Sequence, residues 1–151
     1  MTKHAKMSCR NKFSMTNNKE DTKMEKFDYT VETNKSFDEA VSAIEAKSKE
    51  KGFGVLHIHD VKATLANKGF ESVPLKIVEI CNAKYASQVL AKDIKISLML
   101  PCPISVYVEN GKTYISTLRP RVIADFYPQS DIKAIAEEVD KIILSIVDES
   151  K

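Results

Sequence analysis

The chain has 151 residues, 43% hydrophobic and 29% charged, a balance ordinary for one globular domain with a sizeable core. Its formal charge of +2 is unevenly spread: residues 1–23 carry six Lys/Arg against two acids, so the rest of the chain is slightly acidic. Such a body lacks the basic stripe of a nucleic-acid surface. No apolar run approaches a membrane span, and three cysteines are too few for a disulfide framework.

Residues 1–23 show neither helical nor strand periodicity and are expected to form a disordered basic extension, with one domain over 24–151. They contain no hydrophobic stretch typical of a secretory signal, so a cytoplasmic, reducing compartment is the expectation. Residues 26–33 alternate, with Phe27, Tyr29 and Val31 on one face, as in a half-buried strand. Ser36 and Glu39 then fit a capping box that opens a helix of about four turns, and Gly52 closes it. A second strand is read at 53–59 (FGVLHIH). After it, Asp60 caps a short helix that Lys68-Gly69 ends.

Residues 75–81 carry Ile and Val on both faces and read as an interior strand covered on both sides. Asn82 is the N-cap of the following helix, whose inward stripe is Tyr85, Ala86, Val89 and Leu90. Ile94, Ile96, Leu98 and Leu100 alternate again, which predicts a strand at 94–100, ended by Pro101 and Pro103. The strand–helix–strand order predicts a parallel pair joined by a right-handed crossover. Residues 104–109 and 112–117 flank Asn110-Gly111, the pair that supplies both positive-φ positions of a type I′ turn. That register sets Tyr107 opposite Tyr114, Val106 opposite Ile115 and Glu109 opposite Lys112. The chain is irregular to about residue 128, and Ser130 then caps a long C-terminal helix. Ile132, Ile135, Val139, Ile142, Ile143 and Ile146 line one face of that helix. The expected class is therefore α/β (α+β-like): a single domain with a mixed sheet of about six strands, helices packed on it, one β-hairpin and a long C-terminal helix.

The segment VEICNAKYASQVLAKDIKISLMLPCPISVYVENGKTYISTLRP resembles the bacterial and archaeal domain-of-unknown-function family 302. The resemblance rests on Cys81-Asn82 at a strand–helix junction, the helix carrying Leu90, Leu100-Pro101-Cys102, and Gly111 in the hairpin. It implies a compact α/β domain that associates as a homodimer, and it implies no activity. Ala83 and Pro103 depart from the family pattern, in which Pro is frequent at the first position and a polar or basic residue at the second.

Cys81 and Cys102 are the candidate catalytic residues. At the carboxyl ends of neighbouring parallel strands they would share the edge where open α/β sheets bind ligands. The helix after Cys81 would favour a thiolate there. The competing reading is that both are small buried hydrophobes. Asn82 is a candidate anion-orienting residue as well as a cap, and Arg119 a candidate for binding a carboxylate or phosphate, with Arg121 beside it. His57 and His59 share a strand face but have no third ligand near in sequence, so no metal site is assigned.

No phosphate loop, GxSxG, HExxH or EF-hand signature is present, and no cofactor is expected. The first reading is a cytoplasmic homodimer that binds a small anionic ligand near Cys81, Asn82, Cys102 and Arg119, without nucleic acid or membrane as partner. The alternatives are a thiol-dependent redox or sulfur-transfer enzyme using Cys81 and Cys102, and a structural assembly domain with buried cysteines.

Overall fold

The computed structural model describes residues 26–151. The expected extension at 1–23 lies outside the described residues. Five strands form one sheet: β1 (Asp28–Thr33), β2 (Gly54–Asp60), β3 (Leu75–Cys81), β4 (Cys102–Glu109) and β5 (Lys112–Leu118), in the order β1-β5-β4-β3-β2. Every pairing is antiparallel. The helices are α1 (Phe37–Glu50), α2 (Val61–Ala66), α3 (Ala83–Lys92), α4 (Ile123–Phe126) and α5 (Lys133–Ser150), with 3₁₀ segments at Ile94–Met99 and Pro120–Val122.

Local chemistry sets most boundaries. The Ser36 hydroxyl accepts from the Glu39 amide at 3.3 Å, and the Glu39 carboxylate accepts from the Ser36 amide at 2.9 Å, which completes the capping box. At the other end of α1, Gly52 has φ +80°, and the amides of Gly52 and Phe53 donate to the carbonyls of Lys49 and Ser48. That is a Schellman closure. Asp60 caps α2 through the Ala63 amide at 2.9 Å. In the hairpin, Asn110 and Gly111 have φ of +50° and +76°, and Tyr107↔Tyr114, Val106↔Ile115 and Glu109↔Lys112 pair as expected.

The sheet alternation sorts side chains onto two unlike faces. One face presents Val78, Ile80, Ile104, Val106 and Ile115 to Ala40, Val41 and Ile44 of α1 and Val139, Ile143, Ile146 and Val147 of α5, making the main core. The opposite face carries Thr30, Leu75, Ile77, Ser105, Tyr107, Tyr114 and Ser116, none of them fully buried. On that face the Tyr107 and Tyr114 rings stack at 5.5 Å. β3 is thus interior within the sheet, and among the described residues only its Val78/Ile80 face is fully buried.

Three expectations are corrected. Residues 94–99 form a 3₁₀ helix rather than a sixth strand. Asp93 caps it through the Lys95 amide at 2.9 Å, and only Ile96 is buried, while Ile94 and Leu98 are 70% and 81% exposed. β2 and β4 already occupy both sides of β3, so no edge beside it remains for another strand. The period-2 set gives way to the Ile96/Met99 pair, three residues apart, which packs inward as 3₁₀ geometry requires.

With that strand gone, the parallel pair and its crossover go too. α3 and the 3₁₀ helix carry the chain back to the same end of β3, and β4 departs antiparallel, with Pro101 and Pro103 at the start of a strand instead of the end. Finally, Ser130 does not cap α5. Its hydroxyl donates to Asp93 Oδ2 at 3.3 Å, and α5 begins at Lys133 after Ile132, without a side-chain cap.

A candidate apolar site at the end of β3

β3 ends at Cys81 and its antiparallel neighbour β4 begins at Cys102, with Ile80 directly opposite Cys102. Both cysteines therefore reach one sheet edge, by an antiparallel route instead of the parallel one expected. Both are free, half-buried thiols that line the same small cavity of about 50 Å³. Phe53 joins them from the body of the fold. α3 supplies Tyr85, Ala86 and Val89, and the far wall comes from Ile96 of the 3₁₀ helix with Ile123, Ile135 and Val139 of α4 and α5. Among the described residues no charged side chain lines the cavity.

This composition shapes the thiols. Burial pushes Cys81 up from the ordinary value. Cys102 is pushed up to about 11, by burial first and by the neighbouring Cys81 second. With both raised from the ordinary 9.0, the two groups are thiols rather than thiolates at neutral pH.

Asn82 also lines the cavity, but both ends of its amide are committed. Its Oδ1 accepts from the Tyr85 amide at 3.2 Å, and its Nδ2 donates to the Gly52 carbonyl at 2.9 Å, tying the start of α3 to the turn after α1. The structure brings Cys81, Asn82 and Cys102 together but does not place Arg119 with them. Arg119 Nε and Nη2 donate to the two carboxylate oxygens of Asp140 at 3.2 and 2.6 Å, where the Asp140 side chain is 5% exposed. The Arg121 amide also points to Asp140 Oδ1, at 3.4 Å. Arg119 thus joins the end of β5 to α5 and does not line the cavity. The anion expected there has no cation among the lining residues.

His57 and His59 sit on the edge strand β2, their rings 4.3 Å apart, and His59 Nε2 lies 3.1 Å from Glu79 Oε1. Among the described residues no three His, Cys, Asp or Glu side chains form a group able to hold a metal ion. No described helix is long and apolar enough to cross a membrane.

Sequence reasoning missed Phe53 and the aliphatic far wall. The stripe Tyr85, Ala86 and Val89 was the available signal, since an inward face on α3 needs something to face. It borders the cavity more than the core: α3 has no fully buried residue.

No curated protein matches the chain. A family model described as "Domain of unknown function DUF302" matches residues 29–150. The crystal structure of an uncharacterized conserved DUF302 protein from Bacillus stearothermophilus is similar, with a TM-score of 0.80 and 32% identity, over 84% of this chain and 100% of the other. The model match takes in β2 to β5, the cysteine edge and α5, and with this likeness it shows that the chain belongs to the DUF302 family of unknown function.

Proposed function

We propose that the protein binds a small, uncharged, apolar molecule in the cavity at the end of β3. The observation that carries this reading is a cavity walled by aliphatic, aromatic and thiol groups and one amide bonded elsewhere, with no charge on any wall among the described residues. An anion moved there from water would lose its hydration without gaining a partner. Methylcyclohexane and cyclohexanecarboxylate, matched in carbon skeleton, make the test. The hydrocarbon is expected to shift the NMR signals of the Tyr85, Val89 and Ile123 side chains and to raise the melting temperature. The carboxylate is expected to do neither. Ala86→Leu, which fills the cavity from α3, should abolish the effect. Absence of any response to the hydrocarbon would sink the reading.

Thiol chemistry is the second reading, favoured by one observation: both free thiols line one cavity. The raised pKa of each works against it, because the thiolate is the reacting species.

For assembly, we propose a homodimer through the sheet face that α1 and α5 leave uncovered. Leu75, Ile77, Tyr107 and Tyr114 give this face an apolar centre, bordered by the Glu32–Lys112 and Glu79–His59 pairs. Both signs of charge are present on it, as a self-complementary two-fold interface requires.

A further inference from the structure

We propose that His57 and His59 chelate a divalent transition-metal ion of the nitrogen-preferring kind, such as Ni²⁺, at the edge of the sheet. The site is separate from the cavity and does not depend on it.

β2 is an edge strand, and both histidines are exposed on it. Their position depends on a break in the pairing with β3. Val55 pairs with Ile80, so an unbroken register would set Leu56 opposite Glu79 and His57 opposite the buried Val78. Instead the register shifts between Val55 and His57, which brings His57 opposite Glu79 and His59 opposite Ile77. Leu56 is the extra residue and is 61% exposed, while Val55 and Ile58 pack on the main core. A bulge re-aims the side chains that follow it. Here it keeps both imidazoles out of the core and sets them on the face that carries Glu79.

Two observations then point to a metal ion. The two ring centroids are 4.3 Å apart, with the rings at 77° to each other. Imidazole nitrogens about 2.0–2.1 Å from one ion, at right angles around it, put their ring centres about 4.5 Å apart. The pair is thus held at nearly the spacing of two adjacent ligands. The second observation is Glu79, whose Oε1 lies 3.1 Å from His59 Nε2. A carboxylate bonded to one nitrogen of an imidazole fixes the ring and leaves the lone pair of the other nitrogen for the ion. Its negative charge also favours a cation beside the pair.

Among the described residues no group of three His, Cys, Asp or Glu side chains is assembled, so the protein supplies two ligands and water takes the other positions. Such a site is open and exchangeable, unlike a closed structural one. Imidazole ligands select late first-row ions over Mg²⁺ and Ca²⁺, which prefer oxygen.

The test titrates the full chain with Ni²⁺ by calorimetry, beside His57→Gln, His59→Gln and Glu79→Gln. Both histidines are exposed, so each variant should keep the far-UV spectrum of the parent. Expected is a Ni²⁺ affinity that falls about tenfold or more in each histidine variant, and about tenfold in Glu79→Gln. Mg²⁺ should not compete. No binding of Ni²⁺ at about 1 mM, the weak end of specific affinity, would overturn the site. So would binding that both histidine variants leave unchanged, since the ion would then sit elsewhere on the chain. A loss confined to one histidine variant would overturn the chelate, and an affinity untouched by Glu79→Gln would overturn the part given to Glu79. Equal competition by Mg²⁺ would overturn the class of ion.

Discussion

Cys102 is the first residue of β4, and its side chain faces the core between Ile80 and the cavity wall. A thiol so placed makes folding stability sensitive to alkali, with a definite sign. Below its ordinary value of 9.0 the group is protonated in both folded and unfolded chains; above it the unfolded chain ionises while the folded thiol, at about 11, does not. Stability therefore falls as pH rises from about 9 to 11, by ~2 kcal/mol for this one group. Cys81 acts in the same direction. Urea unfolding at pH 8, 9.5 and 11 should show that slope, and the difference between the parent and Cys102→Ala should isolate it from the tyrosines. Labelling of Cys102 in the native state should be slow at pH 8. Rapid labelling there would restore the thiol-enzyme reading. Ser48 makes a second test at the scale of one atom. It is fully buried in α1, and its hydroxyl has no hydrogen-bond partner among the described residues. Ser48→Ala removes an unsatisfied polar group and improves helix propensity, so it should raise stability by about 1 kcal/mol in urea titration.

The elements divide by how local their causes are. The capping box at Ser36, the Asp60 cap and the Asn110-Gly111 turn each depend on residues within a few positions of one another, and all three were legible in sequence. The 3₁₀ helix at Ile94–Met99 was not, because its apolar alternation is a valid strand pattern. What decides against a strand is the lack of a free position beside β3, a fact about β2 and β4. Ser130 failed for a similar reason: its hydroxyl is drawn to Asp93, distant in sequence. Gly52 tests the local kind. A Cβ there would meet Asn82 Nδ2 at an ordinary 3.6 Å, so the cost of Gly52→Ala is the positive φ alone, about 1 kcal/mol of stability. Arg119–Asp140 tests the non-local kind. Asp140→Ala removes a buried, bidentate partner and should cost about 3 kcal/mol in urea unfolding. Arg119→Lys, which loses the fork geometry but keeps a cation, should still bind methylcyclohexane, since Arg119 lies off the cavity.

Across the described residues, an all-antiparallel sheet with α1 and α5 packed on one face leaves Leu75, Ile77, Tyr107 and Tyr114 on the other face half-buried, and antiparallel sheets tolerate such a face where parallel ones do not. The sequence hid that choice, because the interval from Cys81 to Cys102 suits a parallel crossover as well as a return to the same end. On the uncovered face Thr30 donates to Asp28 at 2.8 Å, which leaves its oxygen to accept from Ser116, and Ser116 in turn to accept from Tyr107. The chain of hydroxyls draws polar atoms toward one another and leaves the stacked faces of Tyr107 and Tyr114 with Leu75 as the apolar contact area. A homodimer built there would bury an aromatic centre inside a polar rim, the usual anatomy of a specific interface. Tyr107→Glu places a charge at that centre on both copies at once, facing its two-fold mate, so sedimentation should show a dimer converted to a monomer with an unchanged far-UV spectrum. Lys84→Glu, on the exposed side of α3, reverses a charge away from the sheet and should leave the mass of the particle as it was. A Tyr107→Glu protein that remains dimeric would move the interface elsewhere on the surface. A parent protein that sediments as a monomer at every concentration would remove the dimer altogether.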